Sequence, residues 1–219
     1  MKLNITIPTS LKEITLRQYK KFLKIQKETE DDRFLNAKMI EVFCGIPLDK
    51  VLNLKVNDSN EIIETISKLF DEKPNLVTSF KLGKLEYGFH PQLDDLTFGE
   101  YIDLDTFIGD WDNMEKAMNV LYRPILVKLK NKYSIEDYRV ETAEEILDMP
   151  MDAVMSSIFF LWNLGLELSQ TMMNCLDNQE MPQEALTAFL NSQQNGDGIK
   201  VSFQDSLREI LDDLKISQN

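Results

Sequence analysis

The sequence predicts a mainly α-helical protein: a multi-helix bundle with a small antiparallel β element and a helical C-terminal appendage. The β element is expected to combine an N-terminal strand with a hairpin near residues 77–90. Three observations lead there. Apolar residues recur at three- and four-residue spacing along most of the chain. Only 8 glycines and 7 prolines interrupt 219 residues, too few for a fold built on many tight turns. The spacing drops to two in the first seven residues and again around Gly83.

Taken in order, Leu3, Ile5 and Ile7 alternate with polar neighbours up to Pro8, as a short strand does. Thr15 caps a helix with Leu16, Tyr19, Phe22, Leu23 and Gln26 along one side. Phe34, Leu35, Met39, Ile40 and Phe43 mark a second helix, stopped by Gly45 and Pro47. After a helical turn at 51–54, Asp58 or Ser59 caps a helix striped by Ile62, Ile63, Ile66, Leu69 and Phe70. Residues 77–89 read as a hairpin turning near Gly83 and ended by Pro91.

Thr97 caps the next helix, which bears Tyr101, Leu104, Phe107 and Ile108. Helical spacing resumes from Trp111 through Met114, Met118 and Leu121 as far as Arg123-Pro124. Residues 125–138 fit a broken helix or an irregular crossing equally well. Thr142 opens a short helix over 143–147, and residues 151–176 form the longest and most apolar one. Pro150 stands where a first-turn proline is tolerated. Beyond Asp177 the composition shifts to a weak helix at 183–190, a turn at Asn195-Gly196-Asp197-Gly198 and a helix at 203–214. The expected division is a helical domain at 1–176 and an appendage at 177–219.

Composition narrows the function classes. The chain is 43% hydrophobic and 28% charged, the balance of a globular protein. A net charge of −13 repels phosphate backbones, so no nucleic-acid partner is expected. The apolar run at 153–168 is short for a bilayer and contains Asn163 and Glu167, which suits a buried helix; no membrane partner is expected. The N-terminus lacks the apolar stretch of a signal peptide. Cys44 and Cys175 share no ligand spacing with other residues and read as buried thiols of a reducing compartment.

Reactive groups do not converge. His90 is the sole histidine, and its place between Phe89 and Pro91 suits a surface residue at a strand end. Leu82-Gly83-Lys84 is a turn without the glycine spacing of a phosphate loop, and no nucleophile elbow occurs. On a helix Asp103 and Asp105 point to different faces, and Asp110-Trp111-Asp112-Asn113 suits a helix N-terminus. Asn195-Gly196-Asp197-Gly198 lacks the early acids of a calcium loop. The expectation is a non-enzyme with no catalytic residues, no cofactor and no metal. Ten methionines, mostly in the second half, either fill the core or make an adaptable binding surface.

Two segments repeat a pattern. Leu11-Lys12-Glu13-Ile14-Thr15-Leu16-Arg17-Gln18-Tyr19 matches Leu93-Asp94-Asp95-Leu96-Thr97-Phe98-Gly99-Glu100-Tyr101 at Leu, Thr and Tyr. Each reads as a strand, a proline and a threonine-capped helix, either two ordinary capped helices or a duplicated unit whose strands share one sheet. Their charges are opposite. Residues 11–27 carry Lys12, Arg17, Lys20, Lys21, Lys24 and Lys27 against Glu13 alone. Residues 93–115 carry Asp94, Asp95, Glu100, Asp103, Asp105, Asp110, Asp112 and Glu115 with no base. Such faces are either solvated, or grip a charged partner, or meet head to tail in a homo-oligomer. The candidate partner-binding residues are Arg17, Lys20, Lys24, Glu100, Asp103, Asp105, Asp110 and Asp112.

Through these paired motifs, the run from Leu96 through Asp105 to Trp111, and Leu121-Tyr122-Arg123-Pro124-Ile125, residues 11–176 resemble small virion-associated or tail-assembly proteins of tailed bacteriophages. The resemblance implies a tail-assembly chaperone or a virion component. Its partners would be other phage structural or tail proteins, met in the host cytoplasm or in the particle. It carries over no site residues. The competing reading is an acidic host-directed or regulatory module, an inhibitor or decoy.

Overall fold

Two threonines begin the two motif helices as their spacing predicts. The structure is a computed structural model that describes residues 5–71, 73–130, 132–140 and 144–177, with side chains as far as Glu167. Helix α1 (Leu16–Glu28) starts at Thr15, whose hydroxyl accepts from the Gln18 N–H at 3.2 Å while Gln18 Oε1 accepts from the Thr15 N–H at 2.9 Å. Helix α5 (Phe98–Phe107) repeats the device with Thr97 and Glu100, at 3.3 and 2.7 Å. Each box satisfies two amide donors that a helix start otherwise leaves open. Thr15→Ala or Thr97→Ala is therefore expected to lower stability by about 1 kcal/mol, read from a urea midpoint at unchanged slope.

The likeness of the two segments ends at local structure. Both have a 3₁₀ turn before the threonine, Leu11–Glu13 and Leu93–Asp95. Leu16 and Tyr19 are buried, whereas their counterparts Phe98 and Tyr101 are 77% exposed and half-buried. Among the described residues the first copy shows no strand before its proline. Ile5 and Ile7 pack against the core but pair with nothing in a sheet, while Leu3 lies outside the described residues. Alternation there reflects one-sided packing of an extended segment, without a neighbouring strand to bond it.

Between the motifs run α2 (Asp32–Cys44), α3 (Leu48–Val51) and α4 (Val56–Phe70). Gly45 ends α2 at φ +65°, a left-handed conformation that glycine adopts without cost. Helix α4 starts a turn earlier than Asp58 or Ser59 would place it. Asp58 sits in the first turn, where a carboxylate favours the helix dipole, and the Ser59 hydroxyl donates to the Lys55 carbonyl at 3.0 Å.

The sheet has four antiparallel strands in the order β1 (Ser79–Leu82), β2 (Leu85–Phe89), β3 (Tyr122–Leu129) and β4 (Lys132–Ile135). Gly83, at φ +59°, turns the first hairpin as expected. The second hairpin replaces the ambiguous stretch at 125–138. Helix α6 (Met114–Leu121) correspondingly stops before Arg123-Pro124, because Tyr122, Arg123 and Pro124 pair with Phe89, Gly88 and Tyr87. The helix thus ends at Leu121, just before the expected stop at Arg123-Pro124.

Helix α7 (Met151–Asp177) begins against α1. Leu16 N–H donates to Met149 O at 3.0 Å, and Met151 N–H to Ile14 O at 2.8 Å. Its first two turns are buried from Met151 through Ile158 except for half-buried Asp152, and Ser157 Oγ reaches Met118 Sδ of α6 at 3.4 Å. Met114, Met118, Met149, Met151 and Met155 are at most 1% exposed, so these five methionines fill the core. Tyr122 lies beneath them, with its hydroxyl 2.8 Å from Val77 O and 3.2 Å from Ala153 O. Cys44 is a half-buried free thiol that burial pushes up in pKa. No described helix is long and apolar enough to cross a membrane. Thr142, the Cys175 side chain and the appendage after Asp177 lie outside the described residues. The chain is thus mainly helical with a small antiparallel sheet.

Candidate protein-binding surface

The basic helix and the acidic block meet inside one chain. Lys20 pairs with Glu115 and donates to the Asp112 carbonyl at 2.9 Å, and Lys27 pairs with the Asp112 carboxylate at 3.1 Å. Arg17 holds Asp148 with two bonds of 2.7 and 3.2 Å. That pairing keeps the Asp148 carboxyl below its usual range, the hydrogen bond from Arg17 contributing most. Lys24 is exposed and makes no ion pair among the described residues.

Of the remaining candidate acids, Asp110, Asp103 and Glu100 are engaged within the fold. Asp110 caps the turn before α6, accepting from the Asp112 N–H at 2.9 Å. Asp103 accepts from the Tyr138 hydroxyl at 2.8 Å. Asp105 has one buried oxygen without a hydrogen-bond partner, and burial raises its pKa. Glu100 and Arg123 form a buried ion pair at 2.8 Å, at 5% and 6% exposure. Burial alone would raise Glu100, but its Thr97 hydrogen bonds and the Arg123 cation together hold it below the usual range.

His90 departs from the expected surface position. It is buried at the end of β2, donates its backbone N–H to Leu121 O at 2.7 Å, and takes the Gln92 N–H on Nδ1 at 3.4 Å. Burial, then the nearby Arg123, pushes its pKa down. This cluster knits α5, β2 and β3 together. Among the described residues no group of three or more His, Cys, Asp and Glu could hold a metal ion.

One open surface is not marked by the charge pattern. From Leu126 to Lys132 every described residue of the β3–β4 hairpin is exposed, so this arm stands clear of the core. Leu126, Val127 and Leu129 are 61%, 56% and 73% exposed, beside Lys128, Lys130 and Lys132. Cross-strand pairs Val127↔Ser134, Lys128↔Tyr133 and Leu129↔Lys132 set the faces. Val127 and Leu129 share one side, and Lys128 and Tyr133 the other. A register shift between Ile125 and Val127 bends the ribbon where it leaves the sheet.

No protein-family model, curated protein or solved structure matches the chain. The surface must therefore be read from its own chemistry.

Under the Tyr133 side of the arm lies an open groove of about 780 Å³, bordered by Lys128, Lys130 and Lys132 together with Thr78, Ser79 and Gln92. Tyr133 roofs one end, donating to Phe89 O at 2.7 Å. Its ring crosses Gly88, where a Cβ would come within 2.5 Å of Tyr133 Cε2. Only glycine lets the arm seat this closely. Lys128 is partly neutralised by Glu86. Lys130 and Lys132 make no ion pair among the described residues. An arm that exposes apolar side chains between unpaired lysines suits recognition of a partner both acidic and apolar.

The apolar run Ile125-Leu126-Val127, followed by Lys128-Leu129-Lys130, was the signal available in the sequence. It is obscured because its apolar residues fall on both faces, where a half-buried strand would show one.

Proposed function

We propose that this protein is a non-enzymatic assembly protein of a tailed bacteriophage, acting by protein–protein contact as a tail-assembly chaperone or a virion component. It works in the host cytoplasm on phage structural or tail proteins, and the second role would carry it into the particle. The observation that carries the binding role is the exposed apolar and basic β3–β4 arm on a chain of net charge −13. The phage setting comes from the motif resemblance.

Internal pairing of Lys20 and Lys27 with Glu115 and Asp112 neutralises two of the six bases and two of the eight acids of the opposed segments. That leaves less charge for head-to-tail contact between copies, and less for an acidic decoy. The arm is the stronger surface for a partner.

Mass spectrometry of purified particles tests the setting. Presence supports a virion component; absence together with co-purification of a tail protein supports the chaperone; absence from both overturns the assembly reading. The arm is tested by Leu129→Asp with Lys130→Glu in the full chain. Both sites are exposed, so the thermal midpoint is expected to stay within about 3 °C. Affinity for the co-purifying protein should fall at least tenfold, and unchanged affinity would remove the arm from the binding surface.

A further inference from the structure

Residues 125–135 contain three lysines and no acid. The other basic element, α1, already has Arg17, Lys20 and Lys27 paired with acids of its own fold. On the arm, apolar surface coincides with lysines that make no ion pair among the described residues, as it does on a smaller scale at Leu52 and Val56 beside Lys50 and Lys55. A complementary segment occurs in the same chain. Over residues 203–214, Phe203, Leu207, Ile210, Leu211 and Leu214 recur at the spacing of one helical face. Asp205, Glu209, Asp212 and Asp213 stand against Arg208, four acids to one base.

We infer that residues 203–214 dock on the arm of their own chain, the apolar stripe against Val127 and Leu129, which share one side, and the acids against Lys130 and Lys132. Occupied in this way, the arm is masked until a partner displaces the segment. The inference rests on the reading of the arm as a binding surface.

Reach and concentration decide between the chain's own segment and that of a second copy. Residues 178–202 separate the segment from the end of α7, 25 residues that can span up to about 80 Å. A domain of this size has a radius of gyration of roughly 16 Å. A tether that can span the sites holds its end at an effective concentration on the order of millimolar. At micromolar protein this favours the segment's own arm over a neighbour's by about a thousandfold. Even weak docking, driven by one apolar stripe and a few charges, would then be populated.

Zero-length carbodiimide cross-linking of the full chain at micromolar concentration gives the direct test. The expected products join Lys130 or Lys132 to Glu209, Asp212 or Asp213 within monomers. Hydrogen exchange supplies the second readout: Leu207→Asp with Leu211→Asp should speed exchange of the arm amides at least fivefold. Absent cross-links with unchanged exchange overturn the inference, and cross-links confined to dimers overturn it in favour of a second copy. Self-docking can fail while Leu129→Asp still abolishes partner binding; the arm then remains the binding surface. If Leu129→Asp leaves partner binding intact, the reading of the arm itself falls.

Discussion

Replacing Arg123 with methionine is expected to lower stability by about 3–5 kcal/mol, the largest effect of any single polar substitution proposed here. The change leaves the Glu100 carboxylate buried without its cation, and Glu100 cannot move to water because it also closes the Thr97 capping box. Urea unfolding followed by fluorescence of the buried Trp111 measures the loss. The double variant Glu100→Leu with Arg123→Met should recover most of it, short of about 1 kcal/mol for the lost cap. A loss below about 1 kcal/mol in Arg123→Met would mean that the pair is hydrated in solution.

The same cluster sets an acid limit. His90 is held neutral by burial and by Arg123, with Glu100 and Asp95 acting in the opposite sense. Its folded pKa lies below the ordinary 6.5, so the unfolded chain binds the proton first. Stability from His90 is complete above 6.5 and is lost as the pH falls toward the folded value. Glu100, lowered from 4.5, adds a second loss as the pH drops below that figure. Asp105 and Asp152 are raised by burial and offset part of this lower stage. His90→Gln should therefore flatten the stability profile just below pH 6.5 while leaving the lower stage in place. A profile that overlays the parent would show that folding leaves the His90 pKa unshifted.

Gly88→Ala is expected to cost about 1–3 kcal/mol and to loosen the arm. The added Cβ would lie 2.5 Å from Tyr133 Cε2 and 2.9 Å from Ile125 Cγ1, so the ring must leave its seat. With it would go the hydroxyl bonds to Phe89 O and Thr78 O. Tyr133→Phe isolates those bonds and should cost only about 1 kcal/mol. Amide exchange should rise at Tyr133 and Ser134 in Gly88→Ala while the α6–α7 core stays protected. If Gly88→Ala matches the parent in both stability and exchange, the ring is not locked over Gly88.

Helices with one buried stripe were the most legible part of the sequence. Tyr19, Phe22 and Leu23 repeat at helical spacing because a single face of α1 meets the core, and Thr15 and Thr97 mark their helix starts by local hydrogen bonds alone. The second hairpin was not legible. Its root is buried by long-range pairing of Tyr122 and Arg123 with β2, and its tip is exposed on both faces, so no single periodicity describes it. Ile5 and Ile7 misled for the opposite reason, since one-sided packing alternates whether or not a strand is bonded beside it.

Sequence alone thus determined the helical class, the two capped motif helices, the Gly83 hairpin and the opposite charges of residues 11–27 and 93–115. These follow from interactions within a few residues, or from counts that folding cannot change. Tertiary structure decided what those charges do. It turned Lys20 and Lys27 onto Glu115 and Asp112, buried Glu100 with Arg123 beside His90, and left Leu126, Val127 and Leu129 exposed among the lysines of the β3–β4 arm. Each outcome depends on which distant segment supplies the partner, and spacing along the chain does not encode that.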